Sequence, residues 1–366
     1  MADNIKLAII GGDGIGPEVM NEGLKLLKAL EKPLKLSFIF EKHLAGGCCL
    51  KTHGVPILDE TLKACQNADA VLLGAVGLPE CDNNPPHLKP ERALLGLRAA
   101  LGVYCNLRPA KVYETLVDAS PLKRELIEGI DLMVVRELTG GIYFGKPAEI
   151  SPDGKSAVNT MIYSEKEVRR IAHKAFKLAR QRRGKLTSVD KANVLEVSQL
   201  WRKVVASVAA EYPDVQLDHM LVDNCAMQLV RWPKQFDVIL TGNLFGDILS
   251  DEASVLTGSI GMLPSASIGD GTPLYEPVHG SAPDIAGQGK ANPVAMIASI
   301  AMMLEYSFNR PEAARAIESA IESTLANGFH TADLRVENGK PVSTIEMGAM
   351  ITRQAMQLLN TPEAVA

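Results

Sequence analysis

The 366-residue sequence predicts a two-domain α/β fold with mostly parallel sheets flanked by helices. Short apolar runs alternate with amphipathic helical patterns, which is typical of parallel strands joined by helices. We expect strands at 5–10, 34–40, 70–73, 131–135, 185–189, 216–222 and 236–240, and helices at 17–30, 90–102, 164–183 and 198–212. Residues 139–154 form a predicted excursion rich in glycine and proline, and the pattern from about Asn292 onward is mostly helical.

Composition and charge argue against several classes of protein. The net charge of −5 disfavours a general nucleic-acid partner, and no run approaches the roughly 18 apolar residues of a membrane span. The first residues show no basic region followed by an apolar one, so no secretory signal is visible. Six cysteines without a Cys-x-x-Cys pair predict reduced thiols in a cytoplasmic protein. Cys48 and Cys49 could be reactive, although buried packing is the more common state of such residues.

The first predicted strand leads into a glycine-rich loop, which invites comparison with a dinucleotide-binding loop. Its glycines, Gly12, Gly14 and Gly16, follow the spacing G-x-G-x-G rather than the G-x-G-x-x-G of a Rossmann site. We therefore predict a tight loop at the C-terminal edge of a sheet, in a fold that is not a Rossmann fold.

The segment 243–262 carries the most informative acidic pair of the chain. Asp247 and Asp251 lie four residues apart, so a helix starting here would place both carboxylates on one face. Hard cations such as Mg²⁺ prefer oxygen ligands of this kind. The spacing alone also fits an ordinary helix start, where a carboxylate near the N-terminus is favoured.

Four predicted strands each end near a candidate functional residue: Arg136, Lys191, Asp223 and Asp247. Ligands of open α/β sheets bind at the C-terminal ends of strands, so these residues could share one crevice. A desolvated lysine can act as a base and a tyrosine as a weak acid, which makes Lys191 and Tyr143 a chemically sensible proton-transfer pair.

Three arginines, Arg98, Arg108 and Arg136, suggest a substrate with more than one carboxylate, because a guanidinium binds a carboxylate through two parallel hydrogen bonds. One predicted helix carries a face made of Glu91, Leu94, Leu95 and Arg98. Such a face could hold an apolar substituent beside a carboxylate. Alternatively, the leucines belong to the core and the arginines to the surface.

The long loop from Glu276 to Pro293 consists mostly of small residues around His279 and Asp284. Small residues let backbone N–H groups approach a phosphate or a ribose closely. Asp284 is a candidate acceptor for ribose hydroxyls and would repel a 2′-phosphate, which predicts NAD rather than NADP. Taken alone, His279 also fits a structural, hydrogen-bonded histidine.

Together these segments resemble the β-decarboxylating dehydrogenases, the family of isopropylmalate and isocitrate dehydrogenases. The matching segments span nearly the whole chain: 12–18, 97–98, 106–110, 135–145, 190–194, Asp223, 243–262 and 279–293. The pattern of residues 243–262 is specific to this family. The helix 92–98 carries leucines where the isocitrate enzymes usually place a serine that meets a third carboxylate, so it resembles the isopropylmalate branch.

The resemblance implies NAD-dependent oxidative decarboxylation of 3-isopropylmalate to 4-methyl-2-oxopentanoate and CO₂, a step of leucine biosynthesis. It implies a substrate pocket formed by Arg98, Arg108, Arg136, Leu94, Leu95 and Val194, with Glu91 near the nicotinamide. It implies Mg²⁺ or Mn²⁺ held by Asp223, Asp247 and Asp251, with Lys191 as base and Tyr143 as the acid that protonates the enolate. The implied NAD-binding residues are His279, Gly280, Ser281, Ala282, Pro283, Asp284, Ile285 and Asn292.

The resemblance also implies a homodimer with shared active sites, because residues matching Lys191 and Asp223 reach the site from the partner subunit in this family. It implies a first, discontinuous domain, 1–103 plus 258–366, that carries the NAD-binding loop. The second domain, 104–257, would contain the dimer interface and an arm at about 139–160.

Two alternatives remain open to the sequence. A related tartrate- or malate-type decarboxylating dehydrogenase would share most of these motifs. A non-catalytic metal- and nucleotide-binding protein or regulatory subunit would lack a base, an acid or a metal ligand, whereas Lys191, Tyr143 and the three aspartates are all present.

Overall fold

The structure, a computed structural model, describes residues 3–334, 336 and 338–360. The chain divides into two compact units. The first consists of Met1–Val103, Thr115–Ser120 and Gly258–Ala366, and the second of Tyr104–Glu114 and Pro121–Thr257. The units depart from the predicted domains at Thr115–Ser120, which the sequence assigned to the second domain. This segment packs within the first unit, where a Cβ at Gly258 would lie 3.3 Å from Ala119.

Helices and strands alternate along most of the chain, and the predicted α/β class is confirmed. The α-helices are α1 (Gly16–Leu34), α2 (Gly47–His53), α3 (Asp59–Gln66), α4 (Glu91–Ala100), α5 (Arg124–Ile127), α6 (Glu165–Gln181), α7 (Glu196–Ala209), α8 (Val222–Arg231), α9 (Asn243–Ser254), α10 (Val294–Tyr306), α11 (Pro311–Ala326) and α12 (Thr344–Asn360). The strands are β1 (Asp3–Gly12), β2 (Leu36–His43), β3 (Ala70–Ala75), β4 (Val103–Lys111), β5 (Asp131–Glu137), β6 (Ala148–Ile150), β7 (Ala157–Asn159), β8 (Lys185–Asp190), β9 (Gln216–Leu221), β10 (Val238–Thr241), β11 (Pro264–Gly269), β12 (Leu274–Pro277), β13 (Phe329–His330) and β14 (Lys340–Pro341). Every strand and helix predicted from the sequence is present.

The first unit is built on five strands in the order β2-β1-β3-β12-β11. The strands β2, β1, β3 and β12 run parallel to one another, and β11 runs antiparallel to β12. Helix α10 packs on β11 and β12, and its residues from Val294 to Leu304 are all buried. Because α10 is apolar on every side, it forms the centre of the core of this unit.

The glycine-rich loop after β1 packs against neighbouring backbone. Gly12 has φ +74°, and a Cβ there would lie 1.8 Å from the carbonyl oxygen of Ala75. Gly14 has φ +56°, and a Cβ there would lie 1.9 Å from the carbonyl oxygen of Ser281. The glycines therefore permit close contact between backbone segments, which agrees with the absence of a Rossmann fingerprint from the sequence.

The second unit is built on five strands in the order β4-β5-β10-β8-β9. Strand β4 is antiparallel to β5, whereas β5, β10, β8 and β9 are parallel to one another. The C-terminal ends of these four parallel strands lie at one edge of the sheet. That edge carries Arg136 near the end of β5 and leads into Lys191, into α8 with Asp223, and into α9 with Asp247.

The predicted excursion after β5 contains a short hairpin. Strands β6 and β7 pair antiparallel, and every residue of both strands is exposed. The chain then enters α6 through a capping box, in which the Ser164 side chain accepts from Glu167 N and the Glu167 carboxylate accepts from Ser164 N. Among the described residues, the helices are all too short or too polar to cross a membrane.

Candidate active site

Helix α9 places the predicted acidic pair on one face. Asn243 is its first residue, so Asp247 and Asp251 follow in the second and third turns. The Asp247 side chain is 34% exposed and that of Asp251 is 61% exposed. Partial burial raises the pKa of Asp251, Asp247 adds to this effect, and Arg108 opposes it. The two carboxylates therefore repel each other at the edge of the sheet, as the spacing predicts.

Two of the predicted substrate-binding arginines contact this acidic pair directly. Nη1 of the buried Arg136 forms a short ion pair with Asp247 Oδ1. Arg108 Nη1 lies 3.3 Å from Asp251 Oδ1 and 3.6 Å from Asp247 Oδ1. Arg108, Arg136, Asp247 and Asp251 thus form one cluster, which we call the arginine–aspartate cluster.

Neutral side chains hold both arginines of the cluster, a feature that sequence reasoning missed. Arg136 Nε and Nη2 donate to Asn243 Oδ1 at 3.1 and 2.9 Å. Arg108 Nε donates to Asn106 Oδ1 at 2.8 Å, and its Nη1 donates to Ser250 Oγ at 2.7 Å. One signal was present for Asn106, since it lies two residues before Arg108 on β4 and so projects from the same face.

Tyr143 joins the cluster through its hydroxyl group, which donates to Asp247 Oδ2 at 2.9 Å. The Arg136 guanidinium lies 5.9 Å from the centre of the tyrosine ring. Partial burial and the nearby Asp247 charge raise the pKa of Tyr143 above that of a free tyrosine. The phenol is therefore protonated at neutral pH and can serve as a proton donor.

Lys191 and Asp223 form a second, separate pair. Lys191 Nζ donates to Asp223 Oδ1 at 2.7 Å, and this hydrogen bond is the main cause of the lowered pKa of Asp223. The turn that carries Lys191 is held by Asp190, which accepts from Ala192 N, and by Ser198 Oγ, which accepts from Lys191 N. In the described part of the chain, no three His, Cys, Asp or Glu side chains come close enough together to bind a metal ion. Among the described residues, Asp223 therefore does not form a metal-binding group with Asp247 and Asp251.

The third predicted arginine, Arg98, lies on α4 in the first unit. Its Nη2 forms a buried ion pair with Glu276 Oε1 at 3.0 Å, while its buried Nε has no partner among the described residues. Leu94 and Leu95 on the same helix are partly exposed, and Glu91 is exposed. In the second unit, Val194 is 65% exposed.

The loop after β12 presents the residues predicted to bind a nucleotide. His279 is buried and its Nδ1 lies 2.9 Å from the Gly280 carbonyl oxygen, while Nε2 has no partner within the described chain. Burial lowers the pKa of His279, which favours the neutral ring. Asp284 is exposed, and Asn292 is buried and donates to Asp333 Oδ2 at 3.0 Å. The loop thus combines an exposed carboxylate with a buried imidazole nitrogen that is able to accept or donate a hydrogen bond.

The six cysteines are free. Cys49 is buried and Cys48 is half-buried. Burial and the neighbouring Asp13 raise the pKa of both thiols. The thiolate forms are disfavoured, which supports packing over reactivity for this pair.

The chain matches known proteins over nearly its whole length. The isocitrate/isopropylmalate dehydrogenase family matches residues 6–351. The 3-isopropylmalate dehydrogenase of Synechococcus sp. (strain JA-2-3B'a(2-13)) is 59% identical over 360 residues, which are 97% of each chain. That of Clostridium acetobutylicum is 58% identical over 349 residues, which are 94% of this chain and 98% of the relative.

Solved structures agree with the sequence comparisons. Isocitrate dehydrogenase from Methylococcus capsulatus superposes with a TM-score of 0.85 at 35% identity, covering 96% of this chain and 100% of the other. A β-decarboxylating dehydrogenase from Thermococcus kodakarensis gives a TM-score of 0.80 at 36% identity, covering 98% of each chain. From these matches, the chain belongs to the isocitrate/isopropylmalate dehydrogenase family.

Proposed function

We propose that this protein is a 3-isopropylmalate dehydrogenase that catalyses NAD- and divalent-metal-dependent oxidative decarboxylation of 3-isopropylmalate to 4-methyl-2-oxopentanoate and CO₂. This is a step of leucine biosynthesis, and we assign it to the cytoplasm. Curated relatives at 54–59% identity bear this enzyme name. The arginine–aspartate cluster, with Tyr143 hydrogen-bonded into it, is the observation that carries the proposal. It provides cations for carboxylates, a pair of oxygen ligands and a protonated acid in one place.

Substrate carboxylates bind to the arginines in this proposal. Arg136 is almost fully buried and Arg108 mostly so, and both present guanidinium groups to Asp247 or Asp251. A substrate carboxylate replaces Asp247 or Asp251 as the partner of these guanidinium groups and binds them through charge-assisted hydrogen bonds. We assign Arg98 to a further carboxylate contact. We assign Leu94, Leu95 and Val194 to the isopropyl group and Glu91 to the border near the nicotinamide.

The acidic pair fits a hard divalent cation. Asp247 and Asp251 supply carboxylate oxygens one helical turn apart, and a cation between them would relieve the repulsion that contributes to the raised pKa of Asp251. We propose Asp223 of the partner subunit as the third protein ligand. When bound to these residues, Mg²⁺ or Mn²⁺ would act as a Lewis acid and would stabilise the negative charge that develops on the substrate hydroxyl oxygen.

Two residues move protons in the proposed reaction. Lys191 would take the proton of the substrate hydroxyl, directly or through a water molecule, and NAD, when bound, would supply the hydride acceptor. Loss of CO₂ leaves an enolate, to which Tyr143 donates its hydroxyl proton at carbon. Because its pKa is raised, the Tyr143 hydroxyl stays protonated until the enolate forms.

The loop His279–Ile285 and Asn292 fit the adenosine half of NAD. The buried His279 Nε2 has no protein partner within the described residues, and a Cβ at Gly280 would meet nothing within 4 Å. The open space beside Gly280 leaves room for a ligand close to the loop, and His279 Nε2 is a ring nitrogen whose hydrogen-bonding capacity is unused. The further members of the assigned loop are Ser281, Ala282, Pro283, Asp284 and Ile285.

A homodimer with shared sites is part of the proposal. Asp223, Met227 and Val230 lie at i, i+4 and i+7 of α8, so they share one face of the helix. Met227 is 61% exposed and Val230 is 47% exposed. An apolar surface of this kind is suited to a protein partner. A second copy of the chain that covers it would receive Asp223 and Lys191 into its own site.

Substrate preference tests the proposed function. The isopropyl group adds three carbon atoms to malate, and burial contributes roughly 0.8 kcal/mol per CH₂. We expect kcat/KM for 3-isopropylmalate to exceed that for malate by about 50-fold or more. Initial rates of NADH formation with both substrates, and with tartrate, check this. Equal values for malate or tartrate would favour the related decarboxylating dehydrogenase instead.

Cofactor preference tests the role of Asp284. We expect kcat/KM for NAD to exceed that for NADP by about 100-fold, because the exposed Asp284 carboxylate repels a 2′-phosphate. The variant Asp284→Ser should narrow this ratio by about tenfold. Asp270→Asn removes an exposed charge elsewhere in the same unit and should leave the ratio unchanged. Comparable turnover of wild-type protein with both cofactors would contradict the assignment.

A further inference from the structure

Asn243 occupies a buried position where an acidic residue would be the usual partner of an arginine. Its single Oδ1 accepts from both Nε and Nη2 of Arg136, on the edge of the guanidinium that more often binds the two oxygens of a carboxylate. We propose that Asn243 is a positioning residue, which fixes the Arg136 guanidinium without cancelling the charge that binds the substrate. This inference rests on the proposed function of Arg136.

Every hydrogen-bonding position of the Asn243 amide is used. Oδ1 faces the guanidinium, which can only donate, and Nδ2 donates to the carbonyl oxygens of Leu138 and Gly140 at 2.9 and 3.1 Å. Exchanging the amide oxygen and nitrogen would set donor against donor and leave the carbonyls without a partner. The amide orientation is therefore determined, and Asn243 joins the end of β5 to the first turn of α9.

Other arginines in the same unit are held differently. Arg182 Nε donates to the buried Asp237 carboxylate at 2.8 Å. Arg202 forms two hydrogen bonds, of 2.9 and 2.8 Å, with the buried Asp190 carboxylate. These arginines belong to structural pairs in which the charges compensate each other. At Arg136 the buried acceptor is neutral.

The carboxylate that Arg136 does contact belongs to Asp247, which a substrate carboxylate can replace as the partner of Arg136. Asp247 is partly exposed and is assigned to the metal ion, whereas Asn243 is 1% exposed and attached to the sheet. Arg108 is also held by a neutral amide, because the fully buried Asn106 accepts a hydrogen bond from its Nε. A neutral buried amide lies behind each guanidinium, and the carboxylates in front of it, Asp247 and Asp251, are partly exposed or exposed.

The variant Asn243→Asp tests the proposal. It keeps the size of the side chain and an acceptor oxygen facing Arg136, replaces the Nδ2 donor by a second oxygen, and adds a negative charge beside Arg136. Asn243→Ala also loses the Nδ2 donor, so the comparison of the two variants isolates the added charge. We expect KM and the calorimetric Kd for 3-isopropylmalate to rise about 10- to 100-fold, with KM for NAD changed less than about twofold. Asn243→Ala removes the amide without adding charge, so it should weaken substrate binding less than Asn243→Asp does. Asn4→Asp adds the same charge on an exposed part of β1 and should change neither value.

The outcomes separate this inference from the proposed function. Wild-type protein that does not oxidise 3-isopropylmalate would refute the proposed function. If the wild-type protein is active, two results would overturn the positioning role. One is an unchanged substrate affinity in Asn243→Asp, and the other is a greater loss of substrate affinity in Asn243→Ala than in Asn243→Asp. If Asn243→Asp does not fold, Asn106→Asp applies the same test to Arg108. Failure of both variants to fold would also overturn the proposal, because the amides would then serve the fold and not the arginine charge.

Discussion

Replacing Lys191 with methionine is expected to lower kcat by about 10²- to 10⁴-fold, the usual contribution of a positioned base. Methionine keeps an unbranched apolar chain of similar length but has no amine, so no group takes the hydroxyl proton. Binding of NAD, measured by calorimetry, should be retained because the proposed cofactor loop lies in the other unit. The measurement is steady-state NADH formation at saturating 3-isopropylmalate, NAD and Mg²⁺.

Lys185→Met is a matched control for this substitution. Lys185 stands at the start of β8, and its Nζ pairs with Asp218 on β9 at 3.3 Å, a partly exposed Lys–Asp pair like that of Lys191 with Asp223. The Lys185→Met variant should keep kcat within about twofold of the wild-type value, because exposed ion pairs contribute little to stability. An unchanged rate in Lys191→Met would refute the role of Lys191 as base.

Replacing Asp247 with asparagine is expected to lower kcat/KM by about 10³-fold. One carboxylate ligand of the proposed metal is lost, and stabilisation of developing charge by a metal ion contributes several kcal/mol. Activity should recover only in part at high Mn²⁺ or Mg²⁺ concentration, which a metal titration of the initial rate will show. Asp214→Asn is the control, because Asp214 is half exposed and paired with Arg180 at 2.5 Å on the same unit. Equal metal dependence in Asp247→Asn and wild-type protein would contradict the ligand assignment.

The two inactive variants together test whether sites are shared between subunits. In a hybrid dimer of Lys191→Met and Asp247→Asn chains, one site would combine the intact Asp247 of the first chain with the intact Lys191 of the second. Random reassembly should therefore restore about a quarter of wild-type activity. Mixtures that remain inactive, although mass spectrometry shows hybrids, would indicate that Lys191 and Asp247 act within one chain.

The parallel strands could be predicted because each is a short buried apolar run. Strands β3 and β10 are buried throughout. Strand β4 was not predicted, since Asn106, Arg108 and Pro109 interrupt its apolar pattern, and its polar side chains are accommodated by pairing with β5. Strand β11 was missed because its buried serines, Ser265 and Ser267, resemble a loop in sequence. Tertiary contacts, rather than local propensity, determine these strands.

The sequence indicates candidate site residues one by one, but it does not indicate which of them contact each other. The spacing of Asp247 and Asp251 predicts a shared helix face, and the structure has it. The direct contact of Arg136 with Asp247 depends on side-chain positions that join α9 to β5 across 111 residues of sequence. No local pattern encodes such a contact. Asn243 was visible only as the first residue of a motif, because the need for a neutral acceptor emerges once Arg136 lies beside it.

The contact between Arg136 and Asp247 also determines the charge balance of the cluster. Arg108 and Arg136 contribute two positive charges, and Asp247 and Asp251 contribute two negative ones, so the four side chains sum to zero. A divalent cation alone, or a doubly charged substrate anion alone, would upset this neutrality in a partly desolvated place. The two together would preserve it, with Asp247 then binding the proposed cation and Arg136 the proposed substrate. Thermodynamic linkage then requires that each ligand strengthen the binding of the other by the same factor.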